Sequence, residues 1–379
     1  MHYFIYPEFD TTLFQASESR NTGLDEILEI EKTMNKSGGN VRVSRVLIKF
    51  ELAEISRSIV RGQIANDAKY YLNMYDANPH DLSYSQSLWA YPVSGGWVPG
   101  EGFRADNPAT MEGASWNFRD GLTNKTYWLG ADESAVSSSG GAWFNTVYGS
   151  QSFHHQTRDM RMDVTPVVNK WLDGTYPNNG FIVKRSGSLG NLSIDTPEGD
   201  DSRLGNFQFF SRETNTIYSP RLEIQWYDAK FSTGSLSALS STDYDDLELY
   251  MRGLRPEYKE KSIVKFRLVG RNRYPTKSYS NTASEYLTAK FLPSGSKEQI
   301  GGDGAYYSVI DEQTDDVMIP FGSGSVISCD SVGNYFNFRM NGLQSERYYK
   351  FEFKVVSGSG TDEETIQYFD DDYVFKVVR

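Results

Sequence analysis

At 379 residues the chain is long enough for two or three domains, each with its own core. A net charge of −12 excludes a surface built to grip nucleic-acid phosphates, and a single cysteine, Cys329, excludes an internal disulfide framework. The 25 Tyr, 22 Phe and 33 Gly favour strands and turns over helices.

The opening residues, Met1-His2-Tyr3-Phe4-Ile5-Tyr6-Pro7, carry no basic segment followed by an apolar run, so no ordinary signal peptide is expected there. No stretch approaches the roughly 18 apolar residues of a membrane span, and synthesis in a cytosol is expected. Period-two alternation then predicts strands. Val46, Ile48, Phe50 and Leu52 oppose Arg45, Lys49 and Glu51; Tyr70, Leu72 and Met74 follow the same rule. Residues 92–160 form a long Gly-rich stretch holding Trp97, Trp116, Trp128 and Trp143.

Residues 163–187 predict a helix, a turn and a strand. Thr165 is the expected N-cap, Pro166 suits the first helical position, and Val164, Val167, Val168, Trp171 and Leu172 make one apolar face. Gly174 ends the helix, Asn178-Asn179-Gly180 turns, and Phe181-Ile182-Val183 is strand-like. Leu222, Ile224 and Trp226 mark another strand. The Ser-rich segment 231–241 reads as a linker. Beyond it, Val264, Phe266 and Leu268, then Phe351, Phe353 and Val355, then Tyr373, Phe375 and Val377 alternate again. Frequent strands between polar turns predict an all-β chain of sandwiches with one buried face per sheet. The expected domains are 1–230 and 242–379.

Asp10-Thr11-Thr12, Asn21-Thr22-Gly23, Ser44–Phe50, Ala114-Ser115-Trp116-Asn117, the Asp163–Trp171 helix, Asn179-Gly180-Phe181 and Ser219–Ile224 occur in an order that resembles DNRLRE-type jelly-roll modules, over about residues 10–228. The whole chain, with Leu249–Lys259 and Gly342–Tyr349 in its second half, resembles virion structural proteins of marine tailed phages. The resemblance implies an N-terminal jelly roll and a place on a particle, with copies of itself and other virion proteins as partners. Virion localisation and release by lysis agree with the expected lack of a signal peptide. Leu343 and Tyr348-Tyr349 before Phe351 resemble the tyrosine corner of immunoglobulin- and fibronectin-like sandwiches, and so imply such a fold for the second half.

Two readings of the aromatics stay open. Exposed rings between 92 and 160 can stack on a host surface glycan, with Trp97, Tyr127, Trp128 and Trp143 as the candidate platform; they can equally fill a core or an interface. Trp116, Trp171 and Tyr348 are assigned to structural positions, with Tyr349 as the other candidate for the corner. The carboxylates at 195–201, 243–246, 311–316 and 370–372 can ligate calcium, yet none fits the twelve-residue loop, and solvated turns are the plainer reading. His154 and His155 point to opposite faces of a strand, and His2 and His80 lack ligand-spaced partners, so no metal is expected. There is no nucleophile elbow and no phosphate loop, while Gly38-Gly39 and Gly301-Gly302 read as turns; neither enzyme activity nor a cofactor is expected. Cys329 reads as a small buried residue.

Overall fold

Each period-two segment of the sequence lies wholly or in large part in a strand, with Phe50, Leu52 and Trp226 falling just beyond the strand ends. The computed structural model describes residues 1–34, 41–79, 81–82, 85–121, 125–128, 135–154, 159–185, 198, 203–239, 244, 246–274, 290–295, 302–362 and 364–379. The chain is all-β and sandwich-like, with two short α-helices among the described residues. It divides into two compact units. One comprises Phe4–Gln63 and Lys69–Ile224, the other Met1–Tyr3, Ile64–Ala68 and Gln225–Arg379.

In the N-terminal unit a four-stranded sheet runs in the order His2–Ile5, Arg221–Gln225, Lys69–Met74, Met160–Asp163. A seven-stranded sheet runs Gly149–Phe153, Gln86–Pro92, Phe181–Arg185, Val41–Lys49, Ile27–Met34, Gly205–Phe210, with Phe9–Phe14 also paired to Val41–Lys49. The chain crosses repeatedly between the sheets: Val41–Lys49, Lys69–Met74 and Gln86–Pro92 alternate, as do Gly149–Phe153, Met160–Asp163 and Phe181–Arg185.

Helix α1 (Ala53–Val60) was not legible as a helix; Phe50 and Leu52, expected to extend the strand, instead lead into it, and Glu51 Oε1 accepts the Ala53 N–H at 2.7 Å. Helix α2 (Thr165–Leu172) forms as expected, with Val167, Val168 and Trp171 buried and Gly174 (φ +76°) just past its end. Its first N–H is met by a different residue. Asp163 Oδ1 accepts from Thr165 N at 2.9 Å, and the Thr165 hydroxyl accepts from Tyr70 N at 2.9 Å, tying the helix to the neighbouring strand. Trp171 packs on Phe181 at 4.5 Å between ring centroids, as its structural assignment requires.

One expectation fails instructively. Val41–Lys49 is not half-buried: Arg45 and Leu47 are as buried as Val46 and Ile48. All five residues of Phe181–Arg185 are buried as well. Residues directly opposite in an antiparallel pair share a face. Ile182 lies opposite both Leu47 and Tyr91, Lys184 lies opposite Trp89, and Leu13 lies opposite Arg45, so these residues form one face of the large sheet. That face is covered by Ala114, Trp116, Trp128, Ala142 and Trp143 from the long insertion. The sheet is therefore buried on both sides.

The C-terminal unit pairs a six-stranded sheet, in the order Ser237–Ala238, Lys290–Phe291, Ile263–Asn272, Gly333–Arg339, Ser328–Asp330 with Leu247–Arg252 joined to Ile263–Asn272, and a five-stranded one. The latter runs Glu257–Lys259, Thr365–Val378, Arg347–Ser357, Gly304–Asp311, Val317–Ile319. Its core is aromatic: Phe351 lies 5.0 Å from Phe266, 5.3 Å from Phe336 and 4.7 Å from Phe375. The Ser-rich stretch is no free spacer. Phe231 bridges Cys329, Ser232 N donates to Cys329 O at 2.9 Å, and Ser237–Ala238 is a strand of this unit.

The tyrosine corner falls on Tyr349, not Tyr348. Tyr349 is buried opposite Phe375, and its hydroxyl accepts from Gln344 N at 2.9 Å and donates to Gln344 O at 3.2 Å. Alternation turns Tyr348 outward, where it is 47% exposed, so its assignment to the core is corrected.

Candidate functional site

The covered face of the seven-stranded sheet holds the densest chemistry in the molecule. Arg45, at the centre of its strand, reaches Glu198 with Nη2 to Oε2 at 2.8 Å and Nε to Oε1 at 3.4 Å. Lys184 Nζ closes on the same Oε2 at 3.0 Å, and Lys32 Nζ donates to the Glu198 backbone carbonyl at 3.0 Å. All four residues are buried. Burial alone drives the Glu198 carboxyl upward, but the Arg45 and Lys184 charges and hydrogen bonds outweigh it and hold the group below the usual carboxylate range. Burial pushes the Lys184 ammonium down to about 8, against the pull of Glu198.

The insertion is shaped around these charges. The Arg45 guanidinium lies 4.9 Å from the Trp116 ring and 5.1 Å from the Trp143 ring, and Lys184 Nζ lies 5.2 Å from Trp143. Arg45 Nη1 donates to Gly140 O at 2.8 Å. At Gly140 (φ +91°) a Cβ would stand 2.7 Å from both that nitrogen and the Trp116 ring, so only glycine admits the contact.

A second fastening comes from Asn21, in the Asn-Thr-Gly turn. Its Nδ2 donates to Pro99 O at 2.7 Å and Ala114 O at 2.8 Å; its Oδ1 accepts from Gly23 N at 3.1 Å and Gly102 N at 2.9 Å. The side chain is fully buried and its amide makes both donations and both acceptances. Gly100 (φ +77°) is required beside it, because a Cβ there would meet Asn21 Oδ1 at 2.4 Å.

The predicted glycan platform is not assembled. Trp143 is 0% exposed and Trp128 4%, the latter donating Nε1 to Ser115 O at 2.9 Å. They lie in the cover over the sheet, and there they and Trp116 shield Arg45 and Lys184 from water, which is why they cannot form an outer surface. Trp97 is half-buried, its Nε1 bonded to Asn179 O at 2.8 Å and its ring edge-on to Phe9 at 6.3 Å. Tyr127 alone of the four is exposed, at 59%, with its ring 4.8 Å from Phe118. Trp116 is buried as assigned.

Sequence reasoning missed Arg45, Lys184 and Glu198 as a set. The signal was present in Lys184 and Arg185 following an apolar run in a strand, where basic residues need a buried partner.

Of the carboxylate clusters, Glu198, Asp311, Asp315 and Asp370 form ion pairs. Asp311 is held bidentately by Arg347 at 2.7 and 2.8 Å and accepts from Gln313 N and Thr314 N; its carboxyl is lowered, since the Arg347 and backbone bonds outweigh desolvation. Lys350 lies 3.5 Å from Asp315 and 3.7 Å from Asp370. Asp195, Asp200, Asp201, Asp243, Asp245, His80, His155, Gly38, Gly39 and Gly301 lie outside the described residues. Among the described residues no group of three or more His, Cys, Asp or Glu is placed to hold a metal ion, and no helix is long and apolar enough to cross a membrane. Cys329 is buried, and burial followed by the nearby Asp330 charge pushes its thiol up to about 11.

No protein-family model and no curated protein matches the chain.

Proposed function

We propose that the chain is a non-enzymatic structural component of a tailed-phage virion, a capsid decoration, neck or tail protein that works by assembling with copies of itself and with other virion proteins. It is made in the host cytoplasm and leaves on the particle. The observation that carries this reading is how the insertion uses its side chains. Trp116, Trp128 and Trp143 are turned inward, and Arg45 and Lys184 are closed on Glu198. A sandwich thickened by a third buried layer resists deformation, as a repeated building block in a symmetric shell or tube must. Mass spectrometry of density-purified particles is the test: peptides of this chain are expected at a structural copy number, and their absence from the particles overturns the reading.

A second reading, a carbohydrate-binding adhesin, is favoured by Tyr127. Its exposed ring on the short Phe118–Asp120/Thr126–Tyr127 hairpin offers a stacking face for a sugar. Binding on an array of host glycans that disappears with Tyr127→Ala supports it, and an array blank for the parent chain excludes it.

A further inference from the structure

The two sheets of the C-terminal unit carry opposite charge on their outer faces. On Ile263–Asn272, Phe266 and Leu268 are buried, so Lys265, Arg267 and Arg271 alternate outward. The neighbouring strand Leu247–Arg252 sets Arg252 directly opposite Arg267 and Glu248 opposite Arg271. Like charges directly opposite in a sheet repel. Asp330 answers Arg267 at 2.6 Å and Lys265 at 2.8 Å, while Glu248 turns to Arg273 at 2.8 Å. Arg252, which is exposed, and Arg271, whose Nη1 donates to Asn272 O at 3.3 Å, have no carboxylate partner among the described residues.

The other sheet has the reverse excess. Phe351 and Phe353 are buried, so Glu352 between them points outward. Phe351 pairs with Tyr373 and Phe353 with Phe369, which leaves Asp370-Asp371-Asp372 bulged opposite Glu352 alone. All three aspartates are exposed. Asp370 shares the Lys350 ammonium with Asp315, at 3.7 and 3.5 Å, and Glu352 forms no ion pair among the described residues. Burial and then the Asp370 charge push the Glu352 carboxyl above its usual range, and Lys350 does not offset them.

Phe266 and Phe351 meet in the core with ring centroids 5.0 Å apart, so their neighbours Arg267 and Glu352 point away from one another. Two patches of opposite sign on opposite faces of one unit are complementary head to tail, not about a twofold axis. The net charge of −12 makes copies repel in general, and the meeting of these two patches is where they attract.

We propose that the face bearing Arg252, Arg267 and Arg271 on one copy docks the Glu352 and Asp370-Asp371-Asp372 patch of a second copy, head to tail. This deepens the assembly reading, on which it rests, by naming the self-contact. Docking supplies carboxylates to Arg252 and Arg271 and cations to Glu352, so the repulsion on both faces is relieved at once. The contact repeats from copy to copy and builds a ring if the rotation closes or a filament if it does not.

Sedimentation velocity of the full chain at about 0.01 M and about 1 M salt is the test, because exposed charges are screened at the higher value. Association beyond the monomer at low salt, and a monomer at high salt, is the expected result. Arg252→Gln/Arg271→Gln and Glu352→Gln/Asp371→Asn each take charge from one face. Each double variant should keep at least the parent Tm and associate at least about tenfold more weakly. Mixed in equal amounts, the two should form a dimer and nothing larger, because each retains one working face. If a variant's Tm falls, the salt dependence of the parent decides. A parent that is monomeric at low salt, association that persists at high salt, parent-like association by a variant, or an equimolar mixture that stays monomeric overturns the proposal. So does a monomeric parent held on heparin through Arg252 and Arg271, which assigns that face to a polyanion. A monomeric chain whose peptides are found on purified particles leaves the virion reading standing; salt-sensitive association with no peptides on particles does the reverse.

Discussion

Arg45 and Glu198 are 153 positions apart in sequence and form a two-point ion pair, with Nη2 2.8 Å from Oε2, beneath Trp116 and Trp143. Removing one member of a buried pair leaves the other charge uncompensated. Glu198→Gln should therefore cost on the order of 3–5 kcal/mol in urea unfolding. Lys184 gives the pair a pH signature. Its folded-state value of about 8 lies below the unfolded one, so its contribution to stability rises as pH climbs from about 8 toward 10.5, and the cost of charging it is fully present below 8. Lys184→Met should flatten that rise in an unfolding series across the same range.

Asn21→Ala should cost on the order of 3 kcal/mol, from four lost hydrogen bonds at about 1 kcal/mol each with partial rescue by water. The loss should be local as well as global. Limited proteolysis is expected to cut between residues 99 and 114 faster than in the parent chain, because Pro99, Gly102 and Ala114 lose their shared anchor.

Asp10 is buried, and desolvation outweighs its bond from Arg212 N (2.7 Å) to push the carboxyl up to about 7. The folded state then binds the proton more tightly than the unfolded state. Stability from this group is greatest below about 4 and declines until pH passes about 7. Asp10→Asn keeps an acceptor for Arg212 and carries no charge, so it should raise Tm by a few degrees at pH 8 and change it little at pH 4. Thermal melts at the two values check this.

Tyr349→Phe should lose about 1–2 kcal/mol, since Gln344 N and O are left without their shared partner, whereas Tyr348→Phe should be neutral. Equal effects of the two substitutions in chemical denaturation would show that the corner does not depend on the Tyr349 hydroxyl.

The strands were legible because alternation is a local signal: Phe351, Phe353 and Val355 announce their face within five residues. Trp171 and the α2 segment were legible for the same reason, through Pro166, the spaced valines and Gly174. The second covered face was not. Arg45 in Val41–Lys49 follows the rule for a solvent-facing residue, and only Glu198, reached through a distant segment, reverses its meaning. Likewise Trp128 and Trp143 look the same in sequence whether they sit in a loop tip or under one. Tyr348 and Tyr349 differ by one position, and a one-residue choice in a strand selects opposite faces.

The Asn21 side chain gathers three backbone positions of the insertion at one buried turn. Residues 99, 102 and 114 must keep their backbone positions, and between them Arg104 pairs with Glu29 of the strand Ile27–Met34 while Thr110 O accepts from Asn21 N. Variation in that segment is then confined to the positions that make none of these contacts, so that one framework can change its exterior without losing its fastening.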